Sequence, residues 1–295
     1  MDLTNYLKVI PLIRADDYLI VKKSSAYSFD IQPYFVGTNA LEPESGFLVS
    51  SFHGRSIIKS HDDGYYRVLK GIGFTLFDKP VINICEYLDG HVWGALSRKC
   101  ALKEFNFGKL AYSKGVYCPI YESVHSLSGS NFSGVGIKMI KPFILQYRVH
   151  SPIRISDSSF IDKKILKKHI KYLYKSNYSI QESFIDKCIE NLAILHNNNL
   201  FYNALNIFNV CVSGEFLDFE NSLSKSNPDF EVMQKYMPRE LINLIFVLHA
   251  FASIIDEEFD IKYFKNRIKT NYLDKVDNPI IKKHHNRILE LIKSC

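Results

Sequence analysis

The sequence predicts an α+β protein of two lobes, with a β-rich first lobe over residues 1–149 and a mostly helical second lobe over residues 150–295. Three observations predict this class. Short β-branched and aromatic runs separated by turn residues fill the first half, and amphipathic helical patterns fill the second. One short hairpin pattern interrupts those helices. With 295 residues, of which 46% are hydrophobic, the chain can bury a sizeable core.

Composition excludes several other classes of protein. The 14 Gly and 10 Pro are too few for a collagen or a flexible linker, and 6 Cys in 295 residues do not make a disulfide scaffold. The cysteines show no metal-binding spacing, so we expect mostly buried free thiols in a reducing compartment. The 37 basic and 31 acidic residues leave a net charge of +6, which permits a phosphate-bearing ligand but does not argue for nucleic acid.

The sequence further predicts a cytoplasmic protein without a membrane span. Residues 1–5 lack the basic and apolar run of a secretory signal. The most hydrophobic stretch, residues 241–255, is too short for a bilayer and contains Asn243 and His249, so we interpret it as a buried core helix. Delivery into another cell by a dedicated secretion machine stays open.

Strand patterns follow one another through the first half. They cover residues 9–13, 18–21, 47–50, 56–60 and 65–70. Asp-Asp-Gly at residues 62–64 predicts a hairpin turn between the last two, and Tyr66, Val68 and Lys70 then share one face of the second strand. The first lobe has a single helical pattern, over residues 96–114.

Helical patterns dominate the second half. They cover residues 159–175, 179–197, 241–255 and 279–294. Two short apolar runs, residues 207–212 and 215–218, predict a hairpin that turns at Ser213 and Gly214. A β-rich lobe with one helix, followed by helices with an inserted hairpin, is the outline of a protein-kinase-like fold.

Four polar residues occupy the positions that such a fold uses to hold a nucleoside triphosphate. Lys70 ends a strand, Glu104 lies in the first-lobe helix, Asn206 precedes the hairpin and Asp218 ends it. Asn and Asp oxygens suit Mg²⁺. Each residue alone has an ordinary alternative, as a solvated lysine, an exposed helix carboxylate, a turn cap or a turn starter. Their common order and intervals favour the functional interpretation.

One part of a kinase is missing from this set. Kinases carry a catalytic Asp five residues before the metal-binding Asn, and that position is Phe201 here. No other carboxylate lies between Glu190 and Glu215 in the sequence. We therefore do not expect standard kinase chemistry.

Several segments carry a more specific resemblance. They are His-Gly-Arg-Ser-Ile at residues 53–57, Leu-Lys-Gly-Ile-Gly-Phe-Thr-Leu-Phe at 69–77, the helix with Lys-Glu-Phe at 103–105, the paired arginines at 145–154, Tyr-Asn-Ala-Leu-Asn at 202–206 and Leu-Asp-Phe at 217–219. In this order they resemble the selenoprotein O family over about residues 46–222. Members of that family are kinase-like proteins that bind ATP in a flipped orientation and transfer AMP to side-chain hydroxyls of proteins.

The resemblance implies a set of site residues. Lys70, Glu104 and Asp218 would be the catalytic residues, with Glu104 holding Lys70. The other implied roles are nucleotide binding by Arg55, Lys70, Arg148 and Arg154, and binding of Mg²⁺ or Mn²⁺ by Asn206 and Asp218. The partners implied are ATP and a protein or peptide acceptor. For the two later arginines, a solvated strand edge is the alternative.

The chain also departs from the family pattern. Leu205 stands where the family has the Asp proposed as the base, and leucine cannot accept a proton. Glu220 replaces a Gly, and its carboxylate would be able to supply a third metal oxygen or the missing carboxylate. Three functions therefore stay open: an AMP transferase acting on a protein or peptide hydroxyl, a phosphotransferase with altered chemistry, or an inactive ATP-binding pseudokinase that serves as an interaction module.

Overall fold

The computed structural model describes residues 1–14, 18–27, 34–36, 45–48, 56–72, 96–127, 143–175 and 179–294. The chain forms two compact units, one made of Met1–Asn106 and Ile120–Ile153, the other of Phe107–Pro119 and Arg154–Cys295. Residues 107–119, which the sequence analysis assigns to the first lobe, group with the second unit. The two predicted lobes stay a prediction.

The first unit is built on an antiparallel sheet. Its described strands are β1 (Lys8–Arg14), β2 (Tyr18–Lys23), β3 (Tyr34–Val36), β4 (Ser45–Leu48), β5 (Ser56–Asp62), β6 (Tyr65–Lys70), β7 (Ile120–Leu127) and β8 (Phe143–Val149). The order across the sheet is β2-β7-β8-β6-β5-β4-β1-β3. The strands β6, β7 and β8 are buried along almost their whole length, as central strands of a covered sheet are. The mixed α and β content agrees with the predicted class.

The hairpin joining β5 and β6 forms where Asp-Asp-Gly predicts it. Asp63 and Gly64 both have positive φ, 53° and 80°, which is the backbone that a tight two-residue hairpin turn requires. His61 and Tyr66 face each other across the pair, with ring centroids 4.3 Å apart. The turn fixes the pairing next to it, and a bulge between Ile58 and Ser60 shifts the register before Ser56 pairs with Lys70.

The predicted first-lobe helix is present as α1 (Arg98–Ser113). Ala101 and Phe105 are fully buried on one side of it, in agreement with the helical period of the apolar residues. The helix ends before Gly115, whose φ of 91° suits the left-handed residue that often follows a helix. Glu104 lies on the buried side of the same helix.

The described helices of the second unit are α2 (Lys163–Leu173), α3 (Ile180–Asn197), α4 (Phe230–Met233), α5 (Arg239–Ile254), α6 (Ile261–Arg267), α7 (Pro279–Lys283) and α8 (His285–Ser294). α2 begins later than predicted because Ile155–Phe160 forms a 3-10 turn and the Asp162 carboxylate caps the first turn of the α-helix. The predicted C-terminal helix is divided at His284 into α7 and α8.

The predicted core helix at residues 241–255 is α5, and eight of its 16 residues are buried, while Phe246 is 67% exposed. Phe251 of α5 stacks on Phe184 of α3, with ring centroids 3.7 Å apart and nearly parallel planes. Within the described residues no single helix is long and apolar enough to cross a membrane, although the bent pair Phe230–Tyr236 and Arg239–Ile254 meets that test jointly.

The predicted hairpin of the second unit is present in a reduced form. Val210 and Phe216 make an isolated bridge, and the turn between them closes through a hydrogen bond from Gly214 N to Cys211 O. Gly214 has a φ of 90°, which glycine adopts without strain. Two further short strands, β9 (Leu200–Phe201) and β10 (Leu223–Ser224), pair with each other. In the sequence, β9 precedes this hairpin and β10 follows it.

Free thiols are present at three of the cysteines that the structure describes, Cys118, Cys188 and Cys211. Cys118, Cys188 and Cys211 are buried and Cys100 is half-buried, as the sequence predicts for most of them. Burial raises the pKa of the three buried thiols, so they stay protonated. Cys85 and Cys295 lie outside the described residues.

Candidate active-site residues

Lys70 and Glu104 form a buried ion pair within the first unit. Lys70 Nζ donates to Glu104 Oε2 at 2.6 Å, and both side chains are only 1% exposed. The Tyr121 hydroxyl, from β7, donates to the other carboxylate oxygen at 3.3 Å. The strand end and the helix therefore hold a lysine in one fixed orientation, and Tyr121 is a supporting residue that no motif in the sequence indicated.

Gly71 follows Lys70 for a reason of packing. Its φ is +93°, and a Cβ at this position would lie 2.4 Å from the carbonyl oxygen of Phe143 and 2.9 Å from Leu96 Cγ. No larger residue fits such a contact with backbone. The Lys-Gly pair of the motif thus has a structural role, because it lets the end of β6 pass close to the chain at residues 96 and 143.

Arg148 lies on the sheet face opposite to Lys70. It pairs with Arg67 across β6 and β8, and Arg67 is three residues from Lys70 along a regular strand, so their side chains point to opposite faces. Arg148 Nε is 2.8 Å from Glu122 Oε1. The buried Glu122 also accepts hydrogen bonds from Arg67 and Gln146. The structure does not bring Arg148 to Lys70, and its implied role in phosphate binding stays a prediction.

Arg154 is buried in the second unit, with 6% of its surface exposed. Its Nη1 donates to the carbonyl oxygen of Phe208 at 2.8 Å, and its backbone N–H donates to Asp157 Oδ2 at 3.2 Å. The guanidinium therefore holds the loop that follows Asn206, which differs from the alternative of a solvated strand edge. Its phosphate-binding role stays a prediction, and Arg55 lies outside the described residues.

Asn206 is exposed and shapes its own loop. Its Oδ1 accepts from the Phe208 backbone N–H at 2.8 Å, and its Nδ2 donates to the carbonyl oxygen of Ala204 at 3.1 Å. This is the turn-capping arrangement that asparagine often adopts. A carbonyl oxygen has two lone pairs, so Oδ1 keeps one acceptor position beyond the turn.

Asp218 has a left-handed backbone, with φ 59° and ψ 63°. Its neighbours hold it there: the Tyr202 hydroxyl donates to the carbonyl oxygen of Leu217, and the Phe219 ring stacks on Phe107 at 5.5 Å. Aspartate and asparagine adopt this region more readily than other non-glycine residues, and Asp63, Asn199, Asn203 and Asp256 do so too. Burial, followed by the nearby Asp218 and Glu240 carboxylates, raises the pKa of Tyr202.

The two positions that lack a catalytic base are buried and apolar. Phe201 and Leu205 are each 2% exposed. They line a cavity of about 720 Å³ in the second unit, together with Asn206, Arg239 and Glu240. The cavity gives the Asn206 loop room for a ligand, but neither apolar position supplies a proton acceptor.

Glu240 is the carboxylate that sequence reasoning missed at this loop. One of its oxygens accepts from the Asn203 backbone N–H at 2.8 Å, and the other pairs with His196 Nε2 at 2.9 Å. His196 Nδ1 in turn contacts the Tyr272 hydroxyl. Glu240 follows Asn203 by 37 positions, on α5, so no local motif could have indicated it.

Comparisons with known proteins add little to this picture. No protein-family model matches the chain, and no curated protein matches it. Among solved structures it is similar to the kinase domain of a Toxoplasma gondii specific rhoptry antigen, at 8% identity and a TM-score of 0.32, over 81% of this chain and 84% of that one. A TM-score this low carries no argument about function. The chain is thus a mixed α and β protein, and its resemblance to the selenoprotein O family stays a prediction.

Proposed function

We propose that this chain is a kinase-like transferase that binds ATP with a divalent cation. The observation that carries the proposal is the buried Lys70–Glu104 pair. Burying two charges is expensive, so such a pair is weak evidence for a purely stabilising role. A lysine at the end of a strand, fixed by a glutamate from a helix, is the device by which kinases hold phosphates of ATP.

The proposal gives four residues separate roles. Lys70 contacts the phosphates and Glu104 orients it. Asn206 and Asp218 bind Mg²⁺ or Mn²⁺, through amide and carboxylate oxygens of the kind that these cations prefer. Contributions of Arg55, Arg148 and Arg154 to phosphate binding rest on the family resemblance alone.

The group transferred is proposed to be AMP, and the acceptor a hydroxyl of a protein or peptide. The family resemblance favours AMP over phosphate. The buried leucine and phenylalanine at the base positions disfavour a mechanism that needs early deprotonation of the acceptor. Catalysis would then rest on positioning and charge neutralisation, which dominate this type of chemistry.

A second candidate is a non-catalytic ATP-binding protein. It is favoured by one observation, the burial of Phe201 and Leu205 where an acid would be needed. In that case bound ATP would stabilise a shape that another protein recognises.

Labelled ATP separates these functions. The protein is incubated with Mg²⁺ and with ATP labelled at the α- or the γ-phosphate, and its intact mass is followed. We expect a gain of one AMP, while a gain of one phosphate would favour phosphotransfer. Absence of both labels, together with a rise in melting temperature on adding ATP, would favour the non-catalytic protein.

The rise in melting temperature with ATP also tests the kinase-like assignment itself. Lys70→Ala should lose the ATP-dependent rise in melting temperature, whereas Lys171→Ala, on the exposed side of α2, should keep it. If ATP with Mg²⁺ or Mn²⁺ raises the melting temperature of neither the original chain nor the control, the kinase-like assignment is wrong.

A further inference from the structure

A second cavity in the second unit lies among α5, α6 and α8 and has a volume of about 330 Å³. Its floor is apolar. Leu241, Ile245, Phe264 and Ile288 are buried there, and Ile242 is half-buried. This size and composition are those of a small-molecule site, in which apolar surface supplies affinity and a few polar groups fix orientation.

The rim of this cavity is basic. Lys235, Arg239 and Arg287 are exposed side chains that line it, and His284 adds a half-buried imidazole. The lining includes no carboxylate. Across the part of the chain that the structure describes, none of these four side chains forms an ion pair. The rim therefore offers positive charge that no acidic residue of the lining neutralises.

An aromatic ring orders part of this rim. Lys235 Nζ lies 5.1 Å from the centre of the Tyr236 ring, and Arg239 Cζ lies 4.5 Å from it. Such cation–π contacts hold both charged groups against the same ring of the lining. Guanidinium groups bind carboxylates through paired hydrogen bonds, so this rim suits an acidic head group.

We propose that this cavity binds an amphiphilic monocarboxylic acid, with the carboxylate at the basic rim and an unbranched apolar chain on the floor. A volume of about 330 Å³ is at the small end of ligand sites, which suits a medium-chain fatty acid. The site uses none of Lys70, Glu104, Asn206 or Asp218, and it shares Arg239 with the cavity at the Asn206 loop.

Titration calorimetry with decanoate tests the proposal. We expect one decanoate per chain, and affinity that rises about fourfold for each methylene from hexanoate to decanoate, since each buried methylene adds a similar hydrophobic increment. Chains longer than the cavity should gain much less per methylene. Decylamine and decanol, which have the same apolar body without the negative charge, should bind at least tenfold more weakly.

Two variants locate the site. Arg287→Glu reverses an exposed rim charge and should weaken decanoate binding at least tenfold, whereas Lys171→Glu, an equal change on the exposed face of α2, should leave it unchanged. Ile242→Trp fills the floor and should abolish binding. Circular dichroism checks that each variant is folded, and Arg287→Glu remains decisive if the tryptophan variant is not.

Several outcomes would overturn the proposal. They are decylamine binding as tightly as decanoate, an equal loss of affinity in Arg287→Glu and Lys171→Glu, or uptake of many decanoate molecules per chain without saturation. Each would indicate general surface adsorption of an amphiphile instead of a cavity that selects an acid.

Discussion

Lys70 and Glu104 contribute to stability and to the proposed function in ways that substitutions can separate. Lys70→Met leaves the Glu104 carboxylate buried without its ammonium partner, which is 2.6 Å away in the native protein. Removing one partner of a buried pair typically costs about 3–5 kcal/mol. We therefore expect urea unfolding to show a loss of about that size in the free energy of unfolding.

The double variant Lys70→Met with Glu104→Leu is the control. It removes both charges and should recover most of the lost stability, because well-packed apolar residues often replace a buried pair without penalty. It should nevertheless show no stabilisation by ATP. A double variant that ATP still stabilises would contradict the phosphate-binding role of Lys70.

Asp218 can be substituted with a smaller loss of stability than Lys70. Asn tolerates the left-handed backbone observed here, so Asp218→Asn should change the free energy of unfolding by less than about 1 kcal/mol. It removes the carboxylate charge that the proposed cation needs. We expect the Mg²⁺-dependent rise in melting temperature with ATP to disappear, and to persist in Asp229→Asn, an exposed residue of the same unit.

At the scale of elements, the sequence predicts what local chemistry determines. The turn at Asp63 and Gly64 and the helices α1 and α3 are signalled by turn residues, caps and apolar periodicity within a few positions. The order of the strands depends on contacts between distant residues. For the same reason the sequence could not show that Arg148 pairs with Glu122, a residue inside β7 that belongs to no motif.

The same distinction between local patterns and contacts of distant residues applies to the candidate site residues. The Lys70–Glu104 contact was expected because motif spacing defines a strand and a helix that commonly meet. Glu240 belongs to no pattern near the loop, because it follows Asn203 by 37 positions. Its carboxylate reaches Asn203 from a helix that starts far along the chain, and only the folded structure reveals that contact.

Glu240 connects three elements, and its removal tests that connection. Glu240→Ala removes the acceptor of the part-buried Asn203 N–H and of the buried His196 Nε2. Unsatisfied buried groups cost about 1–3 kcal/mol each. We therefore expect the free energy of unfolding to fall by about 2–4 kcal/mol in urea, with Glu240→Gln less affected because an amide oxygen still accepts one bond.

The matched control for this prediction is Glu231→Ala, on the exposed face of α4. It should change the free energy of unfolding by less than about 0.5 kcal/mol. Equal losses in Glu240→Ala and Glu231→Ala would mean that the buried network does not hold the loop.

At the scale of the whole molecule, buried tyrosines make the free energy of unfolding fall at alkaline pH. Burial raises the pKa of Tyr174, Tyr202 and Tyr272 well above the ordinary value. Burial and a hydrogen bond to Asp186 raise the pKa of Tyr263 to about 12. The unfolded chain releases these protons near pH 10. The contribution of these tyrosines to the free energy of unfolding is therefore fully present below about pH 10. It is lost as the pH rises towards their pKa values in the folded protein.

A pH titration followed by tyrosinate absorbance and by circular dichroism tests this dependence. We expect exposed tyrosines to ionise first with the fold intact, and the buried ones to ionise together with the loss of helical signal. In Tyr174→Phe the free energy of unfolding should fall less steeply with pH above 10, because one titrating group is gone. Tyr172→Phe, whose ring is 40% exposed, should keep the original slope. Ionisation of every tyrosine near pH 10 in a folded chain would contradict the burial that raises these pKa values.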